Sequence, residues 1–470
     1  MIHVDTQIEP STLLPAIERM WALSADKIRA IEQSFPPGSP SPVFTVAGQY
    51  SAQGWTEWTQ GFQYGAAALQ FDATGDTEFL DLARDRTRQV MAPHLTHTGV
   101  HDHGFNNVST YGNLWRLAKE HRFEASADEI DFYELALKVT GAVQASRWST
   151  TADGTGYIYS FNGPQSLFVD TIRSCRALAV SHQLGHVLQG ERDARISLLG
   201  RIIEHARNTA RYNIWYGPDS ENGPRDTYDV RGRTAHESVF NTNNGDYRCP
   251  STQQGYSAFS TWTRGLAWAM LGYPEQLEFI QTLADDQLEP FGGRDAITAF
   301  MLEAARATCD FYIEQTPVDG VPYWDTGAPG LAKMGDYLDR PAEPLNDHEP
   351  VDSSAAAIGC QGLIRLGIYL KDSDPQAAGR YLKAGLTSLQ SLLTDTYLGT
   401  DPGHQGLLLH TVYHRPNGWD HIPEGCSIPC GEAAMWGDYH LREAALTVQR
   451  LANNQTPYTF FGPVEKGGAT

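Results

Sequence analysis

Apolar residues recur at three- and four-residue intervals along most of this 470-residue chain, and this spacing constrains its fold more than any other feature. Residues at such intervals share one face of a helix, whereas a half-buried strand requires strict alternation of apolar and polar residues. Ile196, Leu199 and Ile203 illustrate the helical spacing. No segment alternates over several residues, so we predict an all-helical fold without a large sheet.

N-cap residues and chain breaks divide the sequence into about a dozen predicted helices. Asp76 is a predicted N-cap, Ser126-x-x-Glu129 is a capping box, and Asp374 precedes Pro375 at a first helical position. Glycine, proline and asparagine mark the other ends. The predicted ranges are 11–33, 60–72, 76–90, 106–119, 166–184, 191–212, 261–271, 353–370 and 430–452, together with stripes after Ser126, from Ile297 to Tyr312 and from Ala378 to Leu393.

Several predicted helices begin at similar aromatic and glycine-rich segments. These are Trp58-Thr-Gln-Gly-Phe62, His101-Asp-His-Gly-Phe105 and Trp262-Thr-Arg-Gly-Leu266. A closed ring of helical hairpins places equivalent loops around one shared site. Such a ring can exceed ordinary domain size without dividing into separate domains. We therefore expect one domain over 1–470, with an N-terminal helix and lead-in over 1–45. The segment 213–260 lacks periodicity, and so long a loop is usually functional.

Composition and charge exclude several classes of partner. Hydrophobic residues make up 41% of the chain, which supports a packed core. The net charge of −21 repels phosphate backbones, so we expect no nucleic-acid partner. No uncharged apolar run has membrane-spanning length, and the first residues lack the basic and apolar regions of a signal peptide. We expect a cytoplasmic monomer or homodimer that does not bind membranes.

The six cysteines are spread thinly, and Cys426-x-x-x-Cys430 is the only close pair. Such a pair suits a metal or a redox sensor, but no second pair lies nearby in the sequence. A chain of this size also needs no disulfide to hold its core together. We therefore interpret the six cysteines as core and loop thiols.

Histidines surround an aspartate in the segment that contains His94, His97, His101, Asp102 and His103. The spacing suits a metal site, but no downstream carboxylate or cysteine framework completes it, and we predict no metal. A second interpretation makes Asp102 a catalytic carboxylate held by neighbouring imidazoles. A third makes Asp102 the N-cap of the following helix.

Asp170 is a lone acid at the edge of an apolar stretch. Burial disfavours the charged form and raises the pKa of a carboxyl group. A general acid that works near neutral pH needs such a raised pKa. The alternative is an N-cap before Thr171 and Ile172, and this motif alone favours neither interpretation.

Aromatic residues cluster near these loops. They are Trp55, Trp58, Tyr64, Phe161, Trp262 and Trp268. Most aromatic residues at helical spacing belong to a core, but several at loop–helix junctions suit stacking on the apolar faces of a sugar. Arg264, His236 and Gln254 lie among them and can hydrogen-bond a carboxylate and hydroxyls. The sequence therefore indicates an acidic-sugar site, with a structural network at loop ends as the alternative.

Together, these motifs resemble the unsaturated glucuronyl hydrolases, glycoside hydrolase family 88, in order from about residue 50 to 446. Each motif alone is weak, but their order is specific. The matching segments are Trp58–Phe62, His101–Phe105, the helix-opening Asp170, Gln254–Tyr256, Ser260–Trp268, Pro322–Asp325, Asp352–Ala355, Leu408–His414 and Trp436–Tyr439.

The resemblance implies an (α/α)6 toroid that hydrolyses the terminal 4,5-unsaturated uronic acid left by polysaccharide lyases. By the same resemblance, Asp170 protonates C4 of the double bond and then deprotonates the water that adds at C5. Asp102 assists by orienting the site and stabilising positive charge. No metal or organic cofactor is implied. The implied substrate-binding residues are Trp58, His101, Phe161, His236, Gln254, Arg264 and Trp268.

The sequence departs from the family pattern at several places. Phe161 stands where the family often has tryptophan, and His103 replaces an apolar residue beside Asp102. The loop His414–Gly418 lacks the serines and lysine of members that act on sulfated glycosaminoglycans. Three alternatives stay open: an unsaturated rhamnogalacturonyl hydrolase, an inverting toroid glycosidase that uses both aspartates on saturated chains, and a non-catalytic sugar- or metal-binding protein.

Overall fold

The computed structural model describes residues 1–54, 57–218 and 230–462, and these residues are mostly helical. Twelve described helices have seven or more residues. They are α1 Leu14–Ser34, α2 Gln60–Thr74, α3 Thr77–Val90, α4 Asn113–Lys119, α5 Ala127–Ser146, α6 Arg176–Gln183, α7 Leu198–Asn213, α8 Thr263–Gln281, α9 Gly293–Gln315, α10 Ser353–Leu370, α11 Pro375–Leu392 and α12 Met435–Ala452. Shorter α-helical turns are Ala92–Leu95, His103–Asn106, Thr171–Ser174 and Asp285–Leu288.

Strands in the described part of the chain form only small antiparallel sheets. They are β1 Pro42–Val46, β2 Gln49–Ala52, β3 Trp148–Thr150, β4 Gly156–Ile158, β5 Ser166–Phe168, β6 Leu188–Gln189, β7 Arg195–Ile196, β8 Glu237–Phe240 and β9 Tyr247–Ser251. The largest sheet has three strands in the order β5–β8–β9, and the other strands pair as β1–β2, β3–β4 and β6–β7. The prediction of a helical fold without a large sheet therefore agrees with the described residues.

The predicted N-caps are confirmed at three helices. The side chain of Asp76 accepts a hydrogen bond from the backbone N–H of Glu78 at the start of α3. Ser126 accepts from Glu129 at the start of α5, and Asp374 accepts from the third residue of α11. The capping box is only half formed, because the Glu129 carboxylate bonds to Arg84 and Tyr133. These short polar side chains satisfy backbone donors that a helix terminus leaves without partners.

Several predicted ranges are wrong in detail. Helix α8 continues to Gln281, beyond the predicted range 261–271, and α12 begins at Met435 instead of 430. Residues 166–168 are not helical but form β5, which pairs with β8 from a distant part of the chain. The range 106–119 is divided by a π-helical turn over Val108–Gly112 before α4 begins. Residues 191–196 contain a short 3-10 turn and β7, so α7 begins only at Leu198. Strand pairing and a π turn depend on distant contacts that a local periodicity does not contain.

The segment 213–260 is not simply a loop. Its described part contains β8 and β9, which form a hairpin against β5. Residues 219–229 of this segment lie outside the described residues. The hairpin carries the chain from the end of α7 to the start of α8, past the site described below.

One hydrophobic cluster contains buried residues from Ile2 near the start to Phe461 near the end of the described chain. Buried ion pairs cross this core. Glu443 on α12 accepts a bond from Arg173 at 2.9 Å and pairs with Arg176 at 3.3 Å, and Arg173 also pairs with Glu275 on α8. Because all four side chains are buried, each charge depends on its partners.

No described helix is both long and apolar enough to cross a membrane. All six cysteines are free thiols. The Sγ atoms of Cys426 and Cys430 lie 3.5 Å apart, with Cys426 exposed and Cys430 buried.

Candidate active site

A cavity of about 250 Å³ opens at the ends of several helices and collects most of the residues that the sequence predicts for the site. The predicted residues that line it are Trp58, His101, Asp102, Phe161, Asp170, Gln254, Arg264 and Trp268. His236 lies directly behind the cavity wall, with Nε2 3.9 Å from Asp170 Oδ2. Of the other aromatic residues named above, Trp262 also lines the cavity, Tyr64 lines a separate small pocket, and Trp55 lies outside the described residues.

Asp102 and Asp170 come together because their two segments pack without intervening side chains. A Cβ atom at Gly104 would lie 2.2 Å from the carbonyl oxygen of Ser174, so only glycine allows this approach. The Ser174 hydroxyl donates to the carbonyl of His101 at 2.6 Å and accepts from the N–H of Gly104 at 2.9 Å. These contacts fix the turn after Asp102 against the turn after Asp170.

The two carboxylates share one imidazole nitrogen. His101 Nε2 lies 3.1 Å from Asp170 Oδ1 and 3.7 Å from Asp102 Oδ1. All three residues are buried. Neither aspartate caps its helix with its side chain, so the N-cap alternatives for both residues are wrong. Their carboxylates face the cavity instead of the backbone donors.

The pKa values of the two aspartates shift in opposite directions, and the expectation for Asp170 is wrong. Burial raises the pKa of Asp170, but the hydrogen bond with His101 and the charges of His101 and Arg264 outweigh burial and lower it. Burial raises the pKa of Asp102, and that effect prevails over the nearby cations.

His101 carries the complementary shift. Burial lowers its pKa, but the charge of Asp102 and the hydrogen bond with Asp170 outweigh that effect and raise it. The proton therefore favours the imidazole that touches both carboxylates.

His236 has a fixed tautomer. Its Nδ1 accepts hydrogen bonds from the backbone N–H groups of Gln253 at 3.1 Å and Gln254 at 3.3 Å. Burial lowers the pKa of His236 to about 4, so near neutral pH the ring is uncharged and its proton sits on Nε2. That nitrogen is buried and faces Asp170 Oδ2, without a hydrogen-bond partner in the described part of the chain.

Arg264 is buried between the rings of Trp262 and Trp436 and holds several groups in place. Its Nη1 donates to Asp352 Oδ2 at 2.6 Å. Its Nη2 donates to Gln254 Oε1 at 2.9 Å, which leaves the Gln254 amide N–H₂ group to face another acceptor. Arg264 therefore orients Gln254 at the cavity wall.

Aromatic rings form the rest of the predicted wall. Trp58 stacks on Trp436 with centroids 5.1 Å apart, and Phe161 stacks on His101 at 6.0 Å. Trp268 packs against Phe105 at 4.8 Å. The rings fix one another and present apolar faces of the kind that pack against sugar C–H groups.

The histidines around Asp102 point to different partners. His94 bonds to Gln60 at 2.8 Å, and His103 bonds to Thr140 at 2.7 Å and to the carbonyl of His97 at 3.0 Å. Burial lowers the pKa of His103 to about 3, and its ring is occupied away from Asp102. Among the described residues, no three His, Cys, Asp or Glu side chains are grouped as metal ligands.

Several cavity residues were not predicted. They are Glu57, Gln253, Tyr413, His414 and Trp419. Tyr413 and His414 stand in the segment Leu408–His414, but no local signal places that segment beside Asp102. Their position results from the packing of the segment before α12 against the segments around Trp58 and Arg264.

Comparison with known proteins finds relatives that are named as hydrolases of unsaturated sugars. No family model matches the chain. An unsaturated glucuronyl hydrolase of Bacillus sp. (strain GL1) is 27% identical over 409 residues, covering 84% of this chain and 87% of that protein. An unsaturated chondroitin disaccharide hydrolase of Streptococcus pyogenes serotype M1 is 25% identical over 451 residues, covering 93% and 91%.

Solved structures agree in fold. The crystal structure of the Bacillus sp. GL1 unsaturated glucuronyl hydrolase superposes with a TM-score of 0.67 at 22% identity, over 96% of this chain and 99% of that chain. An unsaturated glucuronyl hydrolase specific for heparin gives a TM-score of 0.70 at 18% identity, over 94% and 100%. This chain therefore shares the fold of these structures over nearly its whole length.

Proposed function

We propose that this chain, a relative of the unsaturated glucuronyl hydrolases, removes a terminal 4,5-unsaturated uronic acid from lyase-generated oligosaccharides by hydrating the double bond. The observation that carries the proposal is the pair of buried carboxylates, Asp102 and Asp170, on one imidazole nitrogen of His101 inside an aromatic cavity. The sequence relatives act on unsaturated sugars by name, which supports the same substrate class here.

The proposed reaction begins with proton transfer from Asp170 to C4 of the vinyl ether. Positive charge then develops at C5 and the ring oxygen, near Asp102, which stabilises it. Water adds at C5 and gives its proton to Asp170, which restores the acid. The resulting hemiketal opens and releases the neighbouring sugar. No metal or organic cofactor takes part in these steps.

The proton for the first step belongs to the His101–Asp170 pair. In this structure it favours His101, because the pKa of Asp170 is lowered and that of His101 is raised. Transfer across the 3.1 Å hydrogen bond converts this form into neutral His101 and protonated Asp170 without a change in charge. The substrate's carboxylate adds a negative charge to the cavity and so raises the proton affinity of the His101–Asp170 pair as a whole.

We assign substrate binding to Trp58, His101, Phe161, His236, Gln254, Arg264 and Trp268. The aromatic rings supply apolar faces, and the amide of Gln254 supplies donors to the substrate. Since Arg264 is bonded to Asp352 and Gln254, it acts by orienting Gln254 and by its charge.

We also propose that residues 1–470 form a single (α/α)6 toroidal catalytic domain, with an N-terminal helix and lead-in over 1–45. Helix contacts support a closed ring, because α8 packs on α10, α10 on α12, and α12 on α2. The segments 103–119 and 171–183 complete the circuit between α2 and α8. The outer helices α3, α9 and α11 pack on α2, α8 and α10.

The partner is proposed to be the unsaturated oligosaccharide alone, without nucleic acid or membrane. A monomer or homodimer in the cytoplasm stays a prediction, which cell fractionation and light scattering of the purified protein test. The acidic net charge supports the exclusion of nucleic acid.

The geometry disfavours an inverting glycosidase. Such an enzyme separates its carboxyl groups by roughly 6.5–9.5 Å to hold a water between them. Here one carboxylate oxygen of each aspartate lies within 3.7 Å of the same nitrogen, which puts the two oxygens at or below the short end of that range. An unsaturated rhamnogalacturonyl hydrolase shares the proposed chemistry and differs only in the sugar that is released.

Asp170→Asn tests the assignment of the acid. We expect it to lower kcat by at least about 10³-fold, since an amide cannot supply the proton, while circular dichroism and the unfolding midpoint stay near wild type. Asp102→Asn is the matched variant and should lose less activity. If Asp102→Asn is the more severe loss and Asp170→Asn keeps near-wild-type turnover, the two roles are wrongly assigned.

A further inference from the structure

Cys426 and Cys430 form the one thiol–thiol contact among the described residues. Their Sγ atoms lie 3.5 Å apart, and the Cys430 thiol donates a weak hydrogen bond to Cys426 Sγ. Cys426 is exposed, whereas Cys430 is buried. A disulfide bond needs an Sγ–Sγ separation of about 2.0 Å. The two sulfur atoms are therefore close enough to bond after a small movement of the exposed Cys426 side chain.

The pair lies in the segment 421–430, which few bonds of its own hold in place. Residues 424–427 of this segment are exposed. The one backbone hydrogen bond described within the segment joins the N–H of Cys426 to the carbonyl of Pro423 at 3.0 Å. An exposed segment with so few internal bonds opens and adjusts locally at a low cost in free energy. The two thiols can therefore approach each other without a change in the helices.

The two thiols differ as an attacking thiol differs from a resolving one. The exposed Cys426 meets dissolved reagents, and the thiolate is the form of cysteine that attacks them. Burial, the hydrogen bond with Cys426, and the charges of Cys426 and Glu432 raise the pKa of Cys430 to about 12. Cys430 is therefore not the first to react.

The raised pKa of Cys430 depends in part on Cys426 itself. Once Cys426 is held in a mixed disulfide, it carries no charge and no longer accepts the same hydrogen bond. Two of the causes that raise the pKa of Cys430 are then removed, and its proton leaves more easily. The first reaction thus prepares the second.

We propose that Cys426 and Cys430 are a redox-active dithiol that low-molecular-weight disulfides oxidise to an intramolecular disulfide. The Cys426 thiolate attacks one sulfur of the reagent, whose S–S bond breaks and releases one reagent thiol. Cys430 then loses its proton and attacks Cys426 Sγ, which releases the second reagent thiol. The protein loses two electrons and two protons, and the reagent gains both. Neither cysteine lines the sugar cavity, so the site does not depend on the hydration reaction.

The test treats the reduced full-length protein with hydroxyethyl disulfide, an uncharged reagent. The remaining thiols are then blocked with iodoacetamide in guanidinium chloride, and the digested protein is analysed by mass spectrometry. We expect the peptide that carries Cys426 and Cys430 to lose two hydrogen atoms, to resist alkylation and to retain no mercaptoethanol. Dithiothreitol should restore both thiols.

Cys249 is the matched control within the same sample. It is the other exposed cysteine, and it lies on β9 outside the thiol–thiol contact. Its reaction should stop at the mixed disulfide, so it should retain mercaptoethanol, because no neighbouring thiol releases it.

Two variants test the order of attack. In Cys430→Ser, we expect Cys426 to retain mercaptoethanol as a mixed disulfide, as Cys249 does. In Cys426→Ser, Cys430 should retain none, because burial separates it from the reagent. Both variants should hydrate unsaturated disaccharides at the wild-type rate.

The proposal is overturned if Cys426 and Cys430 of the wild-type protein are both still alkylated when Cys249 has reacted. It is equally overturned if wild-type Cys426 retains mercaptoethanol, since Cys430 would then not resolve the mixed disulfide. Neither result depends on whether the protein hydrates a double bond, which the absorbance assay tests separately.

Discussion

Asp102 and Asp170 are equally buried, yet their neighbours give them different proton affinities. Asp170 has the closer contact with His101 and also faces His236, and its pKa is lowered. Asp102 lies farther from His101 Nε2, and burial raises its pKa. At the scale of single residues, a 0.6 Å difference in distance to one nitrogen, 3.7 against 3.1 Å, accompanies the opposite shifts.

This arrangement makes a prediction for the pH profile. The His101–Asp170 pair loses its shared proton only as pH rises through a pKa that is raised above the ordinary histidine value. In His101→Gln the proton resides on Asp170 alone, and the pKa is then that of a buried carboxyl group. We therefore expect the alkaline limb of kcat/KM to move to lower pH, measured with the absorbance assay.

The matched control for that profile is His103→Gln. Its ring is equally buried two positions further along the chain, but it bonds to Thr140 and the backbone of His97 instead of a carboxylate. Its alkaline limb should stay at the wild-type pH. If the alkaline limb of His101→Gln stayed at the wild-type pH, His101 would not be holding the catalytic proton.

The residue types of the site could be predicted from the sequence, but their electrostatics could not. Gln254 and Arg264 reach one cavity with the two aspartates, as their motifs indicated. The pKa of Asp170 depends on a hydrogen bond to a residue 69 positions away, which no local pattern contains. Trp419 was missed for the same reason.

At the scale of elements, the site depends on two short helical turns, His103–Asn106 and Thr171–Ser174, in close contact. Gly104 permits the contact, and Ser174 bonds across it. On the other side, Gly61 of α2 approaches Asn106 so closely that a Cβ atom would lie 2.3 Å from its Cα. Gly61 and Gly104 of the aromatic motifs thus allow neighbouring segments to pack backbone against backbone.

Gly104→Ala should separate these turns, because its Cβ atom would meet backbone rather than a movable side chain. We expect a loss of stability of about 1–3 kcal/mol from overpacking and a fall in kcat larger than the rise in KM. Denaturant unfolding and steady-state kinetics measure both effects.

Gly379→Ala is the matched control for this substitution. Gly379 lies inside α11 with open space around its would-be Cβ atom, so the same change should be neutral or stabilise by about 0.4–1 kcal/mol. Wild-type kcat and stability in Gly104→Ala would show that the close approach of the two turns does not position the carboxylates.

Helices were the predictable elements, since periodicity and caps are local. The N-caps Asp76, Ser126 and Asp374 are observed as predicted. Strand β5 was missed because its partner β8 lies about 70 residues further along the chain. The error matters for function, since β5 leads directly into Asp170.

For the whole molecule, buried charges join helices that are distant in sequence. Glu443 on α12 is bonded to Arg173 and paired with Arg176, and it also accepts hydrogen bonds from Tyr439 and Tyr458. The arginines hold the pKa of Glu443 well below its ordinary value. One carboxylate thus ties α12 to the segment that carries Asp170 and to residues near the end of the described chain.

Glu443→Gln leaves two buried arginines short of a counter-charge, and we expect it to lower the free energy of unfolding by about 3–5 kcal/mol. Glu303→Gln breaks the partly exposed pair with Arg231 and should cost about 0–1 kcal/mol. Chemical denaturation of both variants measures the difference. Similar small losses in both would contradict a structural role for the buried network.

Hydration of the C4=C5 bond is tested by following the double bond and the released sugar in the same reaction. The purified protein is incubated with lyase-made disaccharides and with their saturated counterparts, while far-UV absorbance and released reducing sugar are followed together. We expect the absorbance to fall in step with sugar release from the unsaturated substrates, and the saturated substrates to stay intact. Asp170→Asn should leave both the absorbance and the amount of released sugar unchanged. Cleavage of the saturated disaccharides, or a folded protein that leaves the absorbance of every unsaturated substrate unchanged, would contradict the hydration reaction.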